Sequence, residues 1–202
     1  MTTFTSTKSN EVPTLEDLGH PAEVSYLSTL AVGVILVSGR HGSGKSTTLA
    51  ALAKEVRSQT DRLVVEVGAS DENALGLPYF KVAEREYAKI SKSSRDVDIE
   101  AARRYALLET AEILKARVEV AVFDDIRHVE AALIASYLAG AGVLVLASIH
   151  NSGEVQSAVS NFVALPGNLS APLDPSLVHA VVHQSLSRDG YQAVLTSSVY
   201  RP

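Results

Sequence analysis

One octapeptide restricts the possible folds of this chain more than any other feature. Gly39-Arg40-His41-Gly42-Ser43-Gly44-Lys45-Ser46 satisfies the pattern G-x-x-x-x-G-K-[S/T] in full. Its glycines let successive backbone N–H groups turn into one concavity, which attracts an anion. A helix opening near Gly44 adds the positive end of its dipole. Such a loop needs a strand before it and a helix after it. Val32 to Val37 is a short apolar run without alternation, the mark of a strand buried on both faces. Thr47 to Ser58 continues as an amphipathic helix. The expected ligand is Mg-ATP, held by Gly39, Arg40, His41, Gly42, Ser43, Gly44, Lys45, Ser46 and Thr47. Lys45 is expected to reach the β and γ phosphates and serve catalysis, and Ser46 to hold Mg2+.

Strand and helix patterns alternate along the rest of the chain. Thr14 to Leu18 reads as a capped turn, with Thr14 as cap and Asp17 returning the bond of a capping box. Ala22 to Leu30 is expected to be helical, Leu63 to Val67 a buried strand, and Asp71 to Asp96 a helix between loops. Ile99 to Lys115 is a long helix rich in Ala and Leu, and Val118 to Phe123 a strand. Val129 to Ala139 is a helix, Gly142 to Ile149 a strand, and Glu154 to Leu165 a helix. Val178 to Leu186 and Gln192 to Tyr200 read as strands joined through Arg188-Asp189-Gly190, a hairpin signal. The pattern predicts an α/β fold: a mainly parallel sheet with helices on both faces and a C-terminal antiparallel hairpin. We expect a leader over 1–12 and one nucleotide-binding domain over 13–202.

Ligands of such sheets sit beyond the carboxyl ends of the strands. Besides the glycine loop, two polar groups fall there. Asp124 and Asp125 end the apolar run Val120-Ala121-Val122-Phe123. Asp124 is expected to orient the water shell of Mg2+, and Asp125 to position the attacking water. Both also suit helix capping before Val129. His150 ends the run Leu144 to Ile149, where it can sense a γ-phosphate or fill a structural role.

Composition narrows the alternatives. At 202 residues, 46% of them apolar, the chain is long enough for one domain with an ample core. It has no cysteine, which excludes disulfides, zinc–thiolate sites and thiol nucleophiles. The net charge is −5 and no basic stripe runs along the sequence, so nucleic acid is not the expected partner. Lys89, Lys92 and Arg95 read as a solvated loop. No apolar run reaches the roughly 18 residues of a membrane span, and the Ser/Thr-rich N-terminus lacks a signal core.

These motifs resemble the secretion ATPase superfamily, with the type IV pilus retraction (twitching motility) branch nearest. The resemblance is carried by Pro13-Thr14-Leu15-Glu16-Asp17-Leu18-Gly19, by Gly33 to Gly39, and by Gly42 to Leu52. Val122 to His128 falls at the family's Walker B strand and its Gly-Glu-Met-Arg-Asp segment. Leu144 to Asn151 resembles its His box, with His150 on the characteristic histidine, and Leu165-Pro166 stands at its Phe-Pro pair. The resemblance covers roughly Pro13 to Tyr200 and implies a RecA-like core that works in hexameric rings. Three departures stand out. The family's catalytic Glu is Asp125 here and its Gly is Asp124. Its acidic box falls on Gly68 and Ala69, leaving Glu66 or Glu72 as substitutes. The sequence also begins where the family's N-terminal domain, its source of nucleotide-contacting arginines, ends, and the C-terminal helical region is missing.

The resemblance therefore implies a pilus or secretion motor core, conjugative systems included. It would be a homo- or hetero-oligomeric ring in the cytoplasm, at the inner face of the cell membrane, with partners from the pilus or secretion machinery. The alternative is a nucleotide-binding regulatory or assembly subunit with little or no ATPase activity. A small-molecule kinase, with Arg95, Arg103 and Arg104 on a substrate lid, is a third reading.

Overall fold

The computed structural model describes residues 12–68, 75–82, 99–165, 173–189 and 192–202. Among them, seven strands form a single sheet in the order β3-β2-β4-β5-β1-β6-β7. They are β1 (Gly33–Gly39), β2 (Val64–Gly68), β3 (Tyr79–Lys81), β4 (Val120–Phe123), β5 (Leu144–His150), β6 (Val178–Asp189) and β7 (Gln192–Tyr200). Every pairing is parallel except β6 with β7. The helices are α1 (Ala22–Leu27), α2 (Lys45–Gln59), α3 (Ile99–Lys115), α4 (Val129–Gly140) and α5 (Val155–Ala164), with a 3-10 turn at Pro175–Leu177.

Strand alternation divides the core into two layers. On one face Ile35, Val37, Val64, Val120, Val122, Leu144, Leu146, Ala180 and Val182 pack against α1, α2 and Leu15. On the other face Val34, Leu36, Val65, Ala121, Val145, Ala147 and Val181 pack against α3, α4 and α5. β1 is buried along its whole length. Each fully buried aliphatic side chain there contributes roughly 1.5–3 kcal/mol, so the strand leading to the glycine loop is firmly held.

Two details set register and span. β1 pairs Val34 with Val178 but Ile35 with Ala180, so His179 is an extra residue in β6, a β-bulge. Its ring lies where a Cβ on Gly33 would stand, 2.4 Å from Nδ1, so Gly33 clears the space for the bulge. At the amino ends of the strands, Arg62 donates to the carbonyls of Leu30 (2.9 Å), Ala31 (2.7 Å) and Glu119 (3.0 Å). It ties together the approaches to β1, β2 and β4.

Most expected elements occur within a few residues of their predicted ends. The Thr14–Asp17 box forms reciprocally: the Thr14 amide donates to Asp17 Oδ2 (2.9 Å), and the Asp17 amide to Thr14 Oγ1 (3.0 Å). Hydrogen bonding from Thr14, first from its side chain and then from its backbone, holds the Asp17 carboxyl below the usual range. The helix expected to reach Leu30 stops at Leu27. Ser28 and Thr29 turn their hydroxyls onto the carbonyls of Ser25 and Tyr26, and the backbone tightens to i→i+3 bonds. Within the segment read as helix between loops, Tyr79–Lys81 is an edge strand parallel to β2. Three residues are too few to show a period, and the aromatic pair after Pro78 was the local strand signal. Residues 1–11 of the expected leader, Glu72, Lys89, Lys92, Arg95 and the hairpin tip at Gly190 lie outside the described residues.

Candidate nucleotide site

The carboxyl ends of four parallel strands present polar residues on the α2 face, in step with the period of two. Glu66 follows Val64 on β2, Asp124 follows Val122 after β4, Ser148 and His150 follow Leu146 on β5, and Gln184 follows Val182 on β6. The glycine loop crosses above the middle of this row, because β1 lies between β5 and β6.

The loop has the form its glycines allow. Gly42 (φ 75°) and Gly44 (φ 86°) are left-handed, and Gly44 is the N-cap of α2 without a side-chain cap bond. A Cβ on Gly39 would stand 2.3 Å from the Gln184 carbonyl oxygen and 2.6 Å from Ser43 Oγ. The loop is also tied within itself. The Arg40 carbonyl accepts from the Ser43 amide (3.2 Å) and from Lys45 Nζ (2.9 Å). Ser43 Oγ is buried without a partner among the described residues. Burial pushes the Lys45 ammonium below the ordinary lysine range, Asp125 and then Asp124 pull it back up, and Arg127 adds to the lowering.

Asp124 and Asp125 differ sharply despite their adjacency. Asp124 is half-buried and its Oδ1 accepts from Ser46 Oγ (2.9 Å) and from Ser148 Oγ (3.1 Å). Ser148 Oγ in turn accepts from the Asp125 amide (2.7 Å). The Ser46 hydroxyl and the Asp124 carboxylate thus converge directly beneath the loop. Asp125 takes the left-handed conformation (φ 68°), which is rare for a residue with a Cβ. Its Oδ2 pairs with Arg127 Nη2, while its Oδ1 is buried without a partner among the described residues. Among the described residues no group of three or more His, Asp or Glu could hold a metal alone.

His150 is exposed and stands beside Gly39 in the β1–β5 register. The next residue, Asn151, is buried; its amide donates to the Gly39 carbonyl (3.1 Å), and its side chain accepts from Gly153 N and Ser157 Oγ (3.0 Å each). Glu66, a candidate for the lost acidic box, is buried, and its Oε2 accepts from the Leu75 amide (3.1 Å). That contact holds the segment before β3 against β2. Arg103 and Arg104 lie on α3, across the sheet from α2, and Arg103 pairs with Glu100. Sequence reasoning missed Asn151, Ser148 and Gln184. The available signal was a polar residue interrupting an apolar parallel strand near its carboxyl end.

Comparison with known proteins agrees with this layout. A type II/IV secretion system protein family model matches residues 8–194. The curated protein YggR of Escherichia coli, uncharacterised, is 28% identical over 180 residues, 88% of this chain and 52% of YggR. Among solved structures, the Legionella pneumophila ATPase DotB superposes with a TM-score of 0.66 at 16% identity, over 94% of this chain and 50% of DotB. The pilus retraction motor PilT, solved with bound ADP, gives 0.63 at 19% identity, over 97% of this chain and 55% of PilT. The VirB11 ATPase of the Brucella suis type IV secretion system gives 0.58 at 18%, over 89% of this chain and 51% of VirB11. The chain spans about half the length of these relatives. Among the described residues no helix is long and apolar enough to cross a membrane. The fold is that of the RecA-like secretion ATPases, and with the family match running through nearly all of it, the chain belongs to the type II/IV secretion system protein family.

Proposed function

We propose that this chain binds Mg-ATP in the loop Gly39 to Ser46 and hydrolyses it as the motor core of a pilus-retraction or secretion machine. One observation carries the reading: Ser46 Oγ and Asp124 Oδ1 meet at 2.9 Å beneath a loop whose glycines leave an open cradle. In this reading the loop amides and Lys45 bind the phosphates, and Ser46 with Asp124 holds Mg2+, which supplies charge neutralisation between the β and γ oxygens. Asp125 positions the attacking water, and His150 contacts the γ-phosphate. Residues 13–202 act as one nucleotide-binding domain. Copies assemble as a ring at the inner face of the cell membrane, with pilus or secretion proteins as partners.

The Asp125–Arg127 ion pair favours a second reading, a regulatory or assembly subunit with little turnover. A carboxylate held by a guanidinium is a weak proton acceptor. Under either reading the isolated chain hydrolyses ATP at less than roughly 1 per second, because arginines supplied from outside contribute about 10³–10⁵ in such enzymes. The test is equilibrium titration with a fluorescent ATP analogue on the native chain and Lys45→Ala, followed by phosphate release with and without membrane fractions containing the pilus or secretion machinery. Unchanged affinity in folded Lys45→Ala would sink the nucleotide site. Turnover that stays at background with every partner fraction would leave the second reading.

A further inference from the structure

The strand β6 bears on the glycine loop through Gln184, a residue that the proposed chemistry does not use. Gln184 is 1% exposed, in line with the apolar Ala180 and Val182 on the α2 face. Its Nε2 donates to the Ser43 carbonyl across 2.6 Å. Its Oε1 is buried and has no partner among the described residues. Stability alone would favour an aliphatic side chain at this position, since a half-satisfied buried amide is costly.

Peptide geometry gives the amide a purpose. The Ser43 carbonyl and the Gly44 N–H belong to one peptide, and among the described residues no peptide bond is cis. In a trans peptide, carbonyl and N–H point in opposite directions. Drawing the Ser43 oxygen towards β6 therefore turns the Gly44 N–H away from β6. Gly44, left-handed at φ 86°, is free to take either orientation of that peptide, so an outside anchor is needed. The Gln184 backbone also fixes the start of the loop, because its carbonyl fills the space a Cβ on Gly39 would need.

We propose that Gln184 is a positioning residue for the phosphate cradle: it locks the Ser43–Gly44 peptide so that the Gly44 N–H faces the polyphosphate of a bound nucleotide. The proposal rests on the nucleotide-binding reading above. It is selective for phosphate, because the anchored peptide forms part of the anion cradle and nothing in it addresses a base or ribose.

The experiment titrates a fluorescent ADP analogue into the native chain, Gln184→Met, Gln184→Glu and Lys45→Ala, with adenosine and inorganic pyrophosphate as separate competitors. Melting temperature is measured on each without nucleotide. Gln184→Met keeps the volume and loses the donor, and is expected to weaken ADP and pyrophosphate binding roughly ten-fold while adenosine competes as before. Gln184→Glu turns an oxygen towards the Ser43 carbonyl and is expected to weaken both further. If the Met variant does not fold, the isosteric Glu variant carries the same comparison. Native affinity for ADP in a folded Gln184 variant, with Lys45→Ala abolishing binding, overturns the proposal and leaves the nucleotide site standing. Equal losses for adenosine and pyrophosphate overturn it as well, since they indicate general damage. Native binding by Lys45→Ala removes the nucleotide site, and the role of Gln184 with it.

Discussion

The hydroxyl of Ser46 and the carboxylate of Asp124 are 78 positions apart in sequence and 2.9 Å apart in space. The parallel order of β1, β5 and β4 brings them together, since each strand ends at the same edge of the sheet. Asp124→Asn keeps the shape and removes the charge. It should weaken the Mg2+ dependence of ATP binding by roughly ten- to hundred-fold, the worth of one charge-assisted contact. Titration with a fluorescent ATP analogue at graded Mg2+ reads this directly, and an unshifted metal dependence would remove Asp124 from the metal site.

Asp125→Asn should preserve ATP affinity and lose whatever turnover the chain supports, because the amide is a poor proton acceptor. Its partner gives the complementary test. Arg127 is largely exposed, so Arg127→Gln should change stability by no more than about 1 kcal/mol. If the ion pair restrains Asp125, that variant hydrolyses ATP faster than the native chain. A rate equal to or below the native one, measured by phosphate release, means that Arg127 supports Asp125.

His150→Ala should leave ADP affinity nearly unchanged and weaken ATP binding by roughly three- to ten-fold, the range of one hydrogen bond. Only ATP carries the phosphate that the ring would meet above Gly39. Parallel titrations with both nucleotides decide it; equal losses would place His150 in the structural frame instead.

His20 yields a pH dependence of stability. Its ring nitrogens bond Ser197 Oγ and Thr48 Oγ1, each at 2.9 Å, and burial holds its pKa below 6.5. His183, bonded to Ser38 Oγ, is shifted the same way by burial. Well above pH 6.5 folded and unfolded forms are both neutral and the contribution is complete. As pH falls below 6.5 the unfolded chain takes up protons first, so stability declines until the folded-state pKa values are passed. The slope is at most about 1.4 kcal/mol per pH unit for each ring. Urea melts between pH 7.5 and 5 should show this loss, and His20→Gln should remove the share due to His20 and leave that of His183.

The sequence made the frame legible where residue type and period agreed. The Gly39–Ser46 loop announced its strand and helix, and the long Ile99–Lys115 helix and the final hairpin were readable from pattern alone. The places of Asp124, Asp125 and His150 at the carboxyl ends of β4 and β5 were legible because each ends an apolar run. The short strand at Tyr79–Lys81 was not, since three residues carry no period. Gln184 was hidden differently. Within the run Val178 to Leu186, read as a strand, Gln184 looks like an ordinary polar position. Its meaning depends on which face it takes and which strand it borders, and both are tertiary facts. The pairing of Asp125 with Arg127 was likewise invisible, because it needs the left-handed turn at Asp125.

The bulge at His179 has an effect far from where it lies. If His179 instead paired directly with Ile35, the even register from Val34 and Val178 would bring His183 alongside Gly39. With the bulge, the run Ser38 to His183 continues to Gln184 beside Gly39, at the opposite end of the strand and roughly 17 Å away at 3.3 Å per residue. Pairing His179 into the ladder would also turn every later side chain of β6 to the other face. The address of the side chain that meets the phosphate loop is therefore written five residues upstream, in a glycine and a histidine that touch no part of the loop. Variation at Gly33 or His179 is constrained by chemistry at the far end of the sheet, and a single-residue insertion or deletion between Ala180 and Gln184 would move the wrong side chain to the loop.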